Sequence, residues 1–184
     1  MESEYILVEL RQLSPNENIT KEELMNILKK YAGIISVYDL MMATAYMRKD
    51  GEFVHVKYRE KYLKVYIKYF IMRMKEVLEK EDYDYEANID KVAFEKSFPM
   101  LERVFEKERL SASKDDKFPL IYVITSLYTT FILEEPIHPV GSEFPGSLKV
   151  EERNGKFLCP VKDNQKDNIN AVCHLCLAEQ TPDI

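Results

Sequence analysis

The sequence has few of the residues, and none of the motifs, on which several common kinds of active site depend. Its 184 residues include no tryptophan, five glycines, three histidines and three cysteines. It has no glycine-rich phosphate loop, no Gly-x-Ser-x-Gly elbow and no His-Glu-x-x-His motif. His55, His138 and His174 are too scattered along the chain to indicate a Ser–His or Cys–His pair. An enzymatic activity would therefore depend on an open metal site, and the sequence leaves open whether the protein is an enzyme.

Long hydrophobic runs and an excess of positive charge are also missing. The longest apolar stretch, at 118–133, is shorter than the roughly 20 residues that span a bilayer. The first residues carry acids where a secretory signal has basic residues. The net charge of −6 argues against binding to nucleic acid or to an anionic membrane. With an odd number of cysteines, we expect a reduced, cytoplasmic protein whose partner, if it has one, is another protein.

The pattern of apolar residues predicts a mainly α-helical protein. We expect a helical bundle of five to six helices over 1–134. A Pro-rich loop, a β-hairpin and a cysteine-containing, metal-binding tail follow over 135–184, packed with the bundle as one domain. The length suits one domain with a substantial core.

Two helix starts carry capping boxes, in which two side chains satisfy exposed backbone N–H groups. Thr20 and Glu23 begin a helix that extends to about Ala32, and Ser36 and Asp39 begin the next, which ends by Gly51. In the second helix, the spacing of the apolar residues predicts an inward face, made of Val37, Leu40, Met41 and Thr44.

The longest helix candidate, 58–80, is rich in tyrosine. Tyr58, Tyr62, Tyr66 and Tyr69 recur at spacings of three and four, which fits either packing at the edge of the core or the lining of a ligand pocket. We favour packing.

The remaining segments of the bundle are predicted more coarsely. Residues 79–86 form an acidic turn, which we interpret as solvated charge rather than a cation site. Residues 86–110 are one helix or two, interrupted at Pro99, and 111–117 form a loop. Pro119 opens an apolar helix, with a strand as the alternative.

All three cysteines lie in the tail. Asn154-Gly155 predicts a type I′ hairpin turn, and Cys159 stands at the exit of the hairpin's second strand. Cys173 and Cys176 form a Cys-x-x-Cys pair in a short helix expected from about Ala171, a spacing that lets two thiolates bind one tetrahedral ion. The sequence therefore predicts a metal centre, although free cysteines also serve as small buried hydrophobic residues.

Three thiolates leave a tetrahedral ion one ligand short. His138 is the best fourth candidate because its Pro-rich loop leads directly into the hairpin. His174, inside the Cys-x-x-Cys pair, and Asp163 are weaker candidates. We favour a structural zinc ion, and the alternative is a [4Fe–4S] cluster with one open iron, serving electron transfer or catalysis. A thioredoxin-like redox role lacks the expected βαβ context.

The same segments resemble an archaeal family of unknown function, domain of unknown function 2115, which is common in methanogens. The resemblance is carried by "HPVGSEFPGSLKV", "NGKFLCPVKDNQKDNINAVCHLC" and the closing "AEQ", and is weaker over the helical body. It implies an archaeal, cytoplasmic protein and brings no known activity. Ser147 departs from the pattern, which has glycine there and so permits a positive φ. The residues that the resemblance implies are shared are His138, Pro139, Gly141, Phe144, Pro145, Gly146, Cys159, Pro160, Cys173 and Cys176.

Overall fold

The computed structural model describes residues 5–53, 55–81, 86–109, 117–168 and 171–182, and over these residues the protein is mainly α-helical. Half of the acidic turn (79–86) and most of the loop (111–117) expected from the sequence lie outside the described residues. None of the helices in the described ranges is both long and apolar enough to cross a membrane. These ranges contain six α-helices, which are α1 (Tyr5–Leu13), α2 (Lys21–Ala32), α3 (Val37–Asp50), α4 (Val56–Glu79), α5 (Lys91–Arg109) and α6 (Phe118–Leu127).

Both predicted capping boxes are confirmed. The hydroxyl oxygen of Thr20 accepts a hydrogen bond from the Glu23 backbone N–H at 3.2 Å, and the Glu23 carboxylate accepts one from the Thr20 backbone N–H at 2.8 Å. Ser36 and Asp39 repeat the arrangement at the same two distances. These reciprocal bonds fix where α2 and α3 begin, since they satisfy N–H groups that have no partner inside the helix.

The inward face predicted for α3 is wrong in part. Val37 and Met41 are 75% and 66% exposed, and the side chains buried against the bundle are those of Ala43 and Met47. The apolar residues of α3 run nearly all round the helix, so their spacing does not determine which edge packs inward. The helix packs against α4 and α6 through the edge that carries the short Ala43 side chain.

α6 lies in the centre of the core, and α5 packs against it with one face buried. α5 is one helix that continues through Pro99, and the side chains of Phe94, Leu101 and Phe105 on it are buried. α6 is helical, as predicted, and almost wholly buried. It continues into a π-helical turn, Tyr128–Ile132, in which the Leu133 backbone N–H bonds the Tyr128 carbonyl at 3.1 Å.

The tail contains two small sheets. β1 (Glu143–Phe144) pairs antiparallel with β2 (Leu148–Lys149), a hairpin that the sequence did not predict. β3 (Glu151–Arg153) and β4 (Lys156–Cys159) form the predicted hairpin, with positive φ at Asn154 (54°) and Gly155 (74°). β5 (Glu179–Gln180) adds a parallel strand to β4. Ser147 adopts a φ of 63°, so a positive φ is kept without the glycine.

Candidate metal centre

Cys159 ends β4 in a buried position beside the turn at Pro160. Burial raises the pKa of its thiol, while hydrogen bonds from the backbone N–H groups of Val161 and Lys162 to the sulfur act in the opposite direction. N–H groups directed at a sulfur stabilise its thiolate form, which is the form that binds metals. Burial is the larger of these effects, so the Cys159 thiol has a raised pKa even though two backbone N–H groups are directed at its sulfur.

Cys173 and Cys176 stand on a turn that is anchored to the helical body. The helix expected from Ala171 is only a 3₁₀ turn, Val172–His174, and Leu175 directly after it is buried in the main hydrophobic core. Burial raises the pKa of Cys173 to about 11, with further contributions from charge on Cys176 and on Cys159. Charge on either of the other two thiols therefore makes Cys173 harder to ionise, and Cys176 packs against the apolar cluster that contains Cys159.

Two further groups lie close to the thiols, and sequence reasoning missed both. The Ile137 backbone N–H donates to Sγ of Cys176 at 3.4 Å, which brings the Pro-rich loop to the cysteines. The Lys162 ammonium donates to the Cys176 carbonyl at 2.7 Å, and its charge lowers the pKa of Cys159 and of Cys173. The Cys-Pro-Val-Lys order was the available signal for Lys162, because proline favours a turn that brings the residues after it back toward the sulfur. The Ile137 contact joins residues 39 positions apart and had no local signal.

The thiols are neighbours without forming a ready-made ligand cluster. Within the described parts of the chain, no group of three or more His, Cys, Asp or Glu side chains is arranged to hold a metal ion. The β-hairpin predicted for the tail is observed, and the predicted metal-binding arrangement of its cysteines is not seen among the described residues. All three cysteines are free thiols.

The imidazole of His138 lies in a cluster of aromatic rings. Its Nε2 is 3.4 Å from the Tyr62 hydroxyl, and its ring centre is 5.7 Å from that of Tyr66 and 5.4 Å from that of Phe144. Burial lowers the pKa of His138 to about 4, so the ring is neutral near pH 7. A neutral imidazole is the form that can bind a metal, but this ring contacts aromatic side chains rather than the thiols.

The two weaker ligand candidates face solvent. His174 is exposed, and its Nε2 lies 3.0 Å from the Asn168 carbonyl oxygen. Asp163 is also exposed, at the start of a 3₁₀ turn. Neither side chain is directed toward the cysteines by any contact in the described structure.

The tyrosines of α4 both pack and line clefts. Tyr62 and Tyr66 stack with ring centres 5.7 Å apart and border a cleft of about 380 Å³ together with His138 and Pro139. Tyr66 and Pro139 also border a neighbouring cleft of about 430 Å³, where Tyr69 lines the wall. The two interpretations of the tyrosine pattern are therefore not exclusive.

Comparison with known proteins finds relatives whose sequences align with most of the chain. A UPF0305 protein of Methanothermobacter thermautotrophicus is 29% identical over 169 residues, covering 90% of this chain and 99% of the relative. The UPF0305 protein of Methanocaldococcus jannaschii is 29% identical over 163 residues, covering 88% and 97%. That of Methanopyrus kandleri is 32% identical over 143 residues, covering 74% and 94%. No solved structure matches the chain.

Residues 20–181 match the profile of a family described as an uncharacterised protein conserved in archaea, DUF2115. The match includes α2 to α6 and all three cysteines. It agrees with the resemblance carried by the sequence of the tail. The chain belongs to the archaeal DUF2115 family, whose function is unknown.

Proposed function

We propose that Cys159, Cys173 and Cys176 bind one structural zinc ion that holds the tail against the helical body. The observation that carries this proposal is the composition of the tail's own core. Its buried cluster consists of Val150, Cys159 and Ala178, with partly buried residues around it. So small an apolar cluster contributes little folding free energy, and in small domains a bound zinc ion supplies what the core does not.

The charges around the thiols support this proposal. Three thiolates and one Zn²⁺ carry a net charge of −1, and the Lys162 ammonium beside them offsets that charge. The raised pKa values of Cys159 and Cys173 mean that these thiols are protonated near pH 7 without metal. Zinc binding would then release protons, and zinc affinity would rise with pH.

An iron–sulfur cluster is the second candidate because the thiols number three and, among the described residues, no fourth ligand side chain is grouped with them. A [4Fe–4S] cluster on three cysteines leaves one iron open, which suits electron transfer or a reaction at that iron. The zinc proposal instead makes the metal structural, and the protein would act through a partner.

Anaerobic purification followed by measurement of zinc, iron and sulfide per chain distinguishes these two candidates. We expect one zinc ion per chain and a colourless protein. Iron with sulfide and visible absorbance would replace the zinc proposal with the cluster. If freshly made protein contains neither metal, the three cysteines are thiols that bind no metal, and both candidates are excluded.

His138 stays a prediction as the fourth ligand, and one pair of variants tests it. It follows Ile137, whose N–H bonds Cys176, so the backbone brings it near the thiols although its ring packs on Tyr62. If His138 is a zinc ligand, we expect His138→Ala to lower the zinc content, as we expect for Cys173→Ser. The matched control is Tyr62→Phe, which removes the hydroxyl beside the imidazole and keeps the ring. Full zinc retention in His138→Ala would remove His138 from the ligand set.

A further inference from the structure

Among the helices in the described ranges, α3 carries the most large hydrophobic side chains that are exposed. Val37, Tyr38 and Met41 are 75%, 68% and 66% exposed, and Met42 and Tyr46 are about half exposed, at 50% and 49%. We call these five side chains, together with the exposed Ala45, the α3 face. It exposes about 600 Å² of side-chain surface, which is at the upper end of the range of areas found for the largest apolar patch on ordinary monomers. Patches at this end of the range are often binding surfaces.

We propose that the α3 face binds a second copy of this chain, with the two α3 helices antiparallel across a two-fold axis. Such an axis would pass between Met41 and Met42, and these two methionines would pack on those of the second copy. A two-fold contact of this kind requires a surface that is complementary to itself.

The order of side-chain sizes along the α3 face meets that requirement. With the axis between residues 41 and 42, position 38 of one copy lies opposite position 45 of the other. The large Tyr38 side chain therefore meets the small, exposed Ala45. Val37 and Tyr46 lie on the two opposite edges of the α3 face, and Tyr46 is held there because its ring packs 4.5 Å from the Phe118 ring. A large side chain thus faces a small one near the middle of the face, twice across the axis, which allows two helices to approach closely.

The charges at the two ends of α3 also favour the antiparallel arrangement. Arg48 and Lys49 are exposed in its last turn, and the Asp39 carboxylate lies in its first turn. Antiparallel pairing brings the basic end of one copy to the acidic end of the other. Asp39 is already bonded to Ser36 and paired with Lys117, so these charges orient the pair more than they strengthen it.

The area that the two α3 faces can bury determines the affinity expected for the dimer. Two α3 faces would bury about 1,200 Å² in total, the lower limit for a specific interface. We therefore expect a reversible dimer that forms with rising concentration, and a dissociation constant on the order of micromolar.

Exchanging the sizes of residues 38 and 45 tests the proposal. We expect Tyr38→Ala alone and Ala45→Tyr alone each to raise the dissociation constant about tenfold or more, measured by sedimentation velocity over a concentration series. The double variant places the large side chain opposite the small one again, and should return the constant to within about threefold of the wild type. Val92→Ala, at a residue 59% exposed on α5, is the matched control for loss of an exposed apolar side chain.

Three results would overturn the proposal. One is a wild-type chain that stays monomeric at the highest concentration tested. Another is a dimer that neither single variant weakens, because its interface would then lie elsewhere. The third is a dimer that the single variants weaken and the double variant does not restore, which would exclude this antiparallel pairing. Circular dichroism of each variant checks that α3 stays folded, as expected for exchanges at exposed helix positions.

Discussion

Cys173→Ser should abolish zinc binding and make the tail sensitive to protease. Under the proposed function, this change removes one thiolate from a set of three, and a hydroxyl is a poor replacement for a thiolate on zinc. Structural zinc contributes about 10–16 kcal/mol to the folding of small zinc domains, far more than the apolar cluster around Val150 and Ala178 would replace. The tail would then unfold while the helices remain folded, because among the described residues of the tail only Leu175 belongs to the core of the helical body.

Zinc content per chain and limited proteolysis measure this result. We expect zinc to fall close to zero and new cleavage to appear within 160–178, with the helical body resistant. His174→Ala is the matched control, since His174 is exposed in the same turn and should keep both zinc and protection. A Cys173→Ser protein with wild-type zinc content and an intact tail would disprove the proposed site.

Phe94→Ala should destabilise the helical body by about 3–5 kcal/mol, a large part of the ~5–15 kcal/mol that ordinary domains possess. Phe94 is 0% exposed, and its ring lies edge-on to the rings of Phe98 and Phe131, at 5.3 and 5.6 Å between ring centres. Its removal leaves a cavity where α5 meets the π-helical turn, and the close-packed neighbours cannot fill it fully.

The free energy of unfolding, from urea titration followed by circular dichroism, measures this change. Val92→Ala on the same helix is the control and should change it by about 0.5 kcal/mol or less, since Val92 is 59% exposed. A loss below about 1 kcal/mol for Phe94→Ala would show that the packing around this ring is looser than the structure indicates.

Local signals in the sequence determined those parts of the fold that depend on neighbouring residues. The capping boxes at Thr20 and Ser36 and the turn at Asn154-Gly155 were predicted correctly because each depends on a few adjacent side chains or φ angles. The orientation of α3 was missed because apolar residues surround that helix, and only its tertiary neighbours select Ala43 and Met47 for burial.

In the candidate site, too, features that depend on neighbouring residues were predicted and contacts between distant residues were not. The cysteine spacing pointed to Cys159, Cys173 and Cys176, and the structure places these thiols in one neighbourhood. Sequence reasoning could not foresee that the His138 ring packs on Tyr62, because the contact joins residues 76 positions apart. It also missed β5, since a two-residue strand carries no periodicity of its own.

The π-helical turn after α6 has a consequence for how chain length can vary within the family. A π turn holds one residue more than an α turn of the same helix, so deleting one residue within Tyr128–Ile132 can convert it to ordinary α-helix. Both flanking segments would keep their orientation, including Glu135, whose carboxylate accepts a hydrogen bond from Arg73 on α4. A deletion inside α6 itself would rotate everything after it by about 100° and break that contact. Single-residue insertions and deletions among homologues should therefore concentrate at this turn rather than within α6.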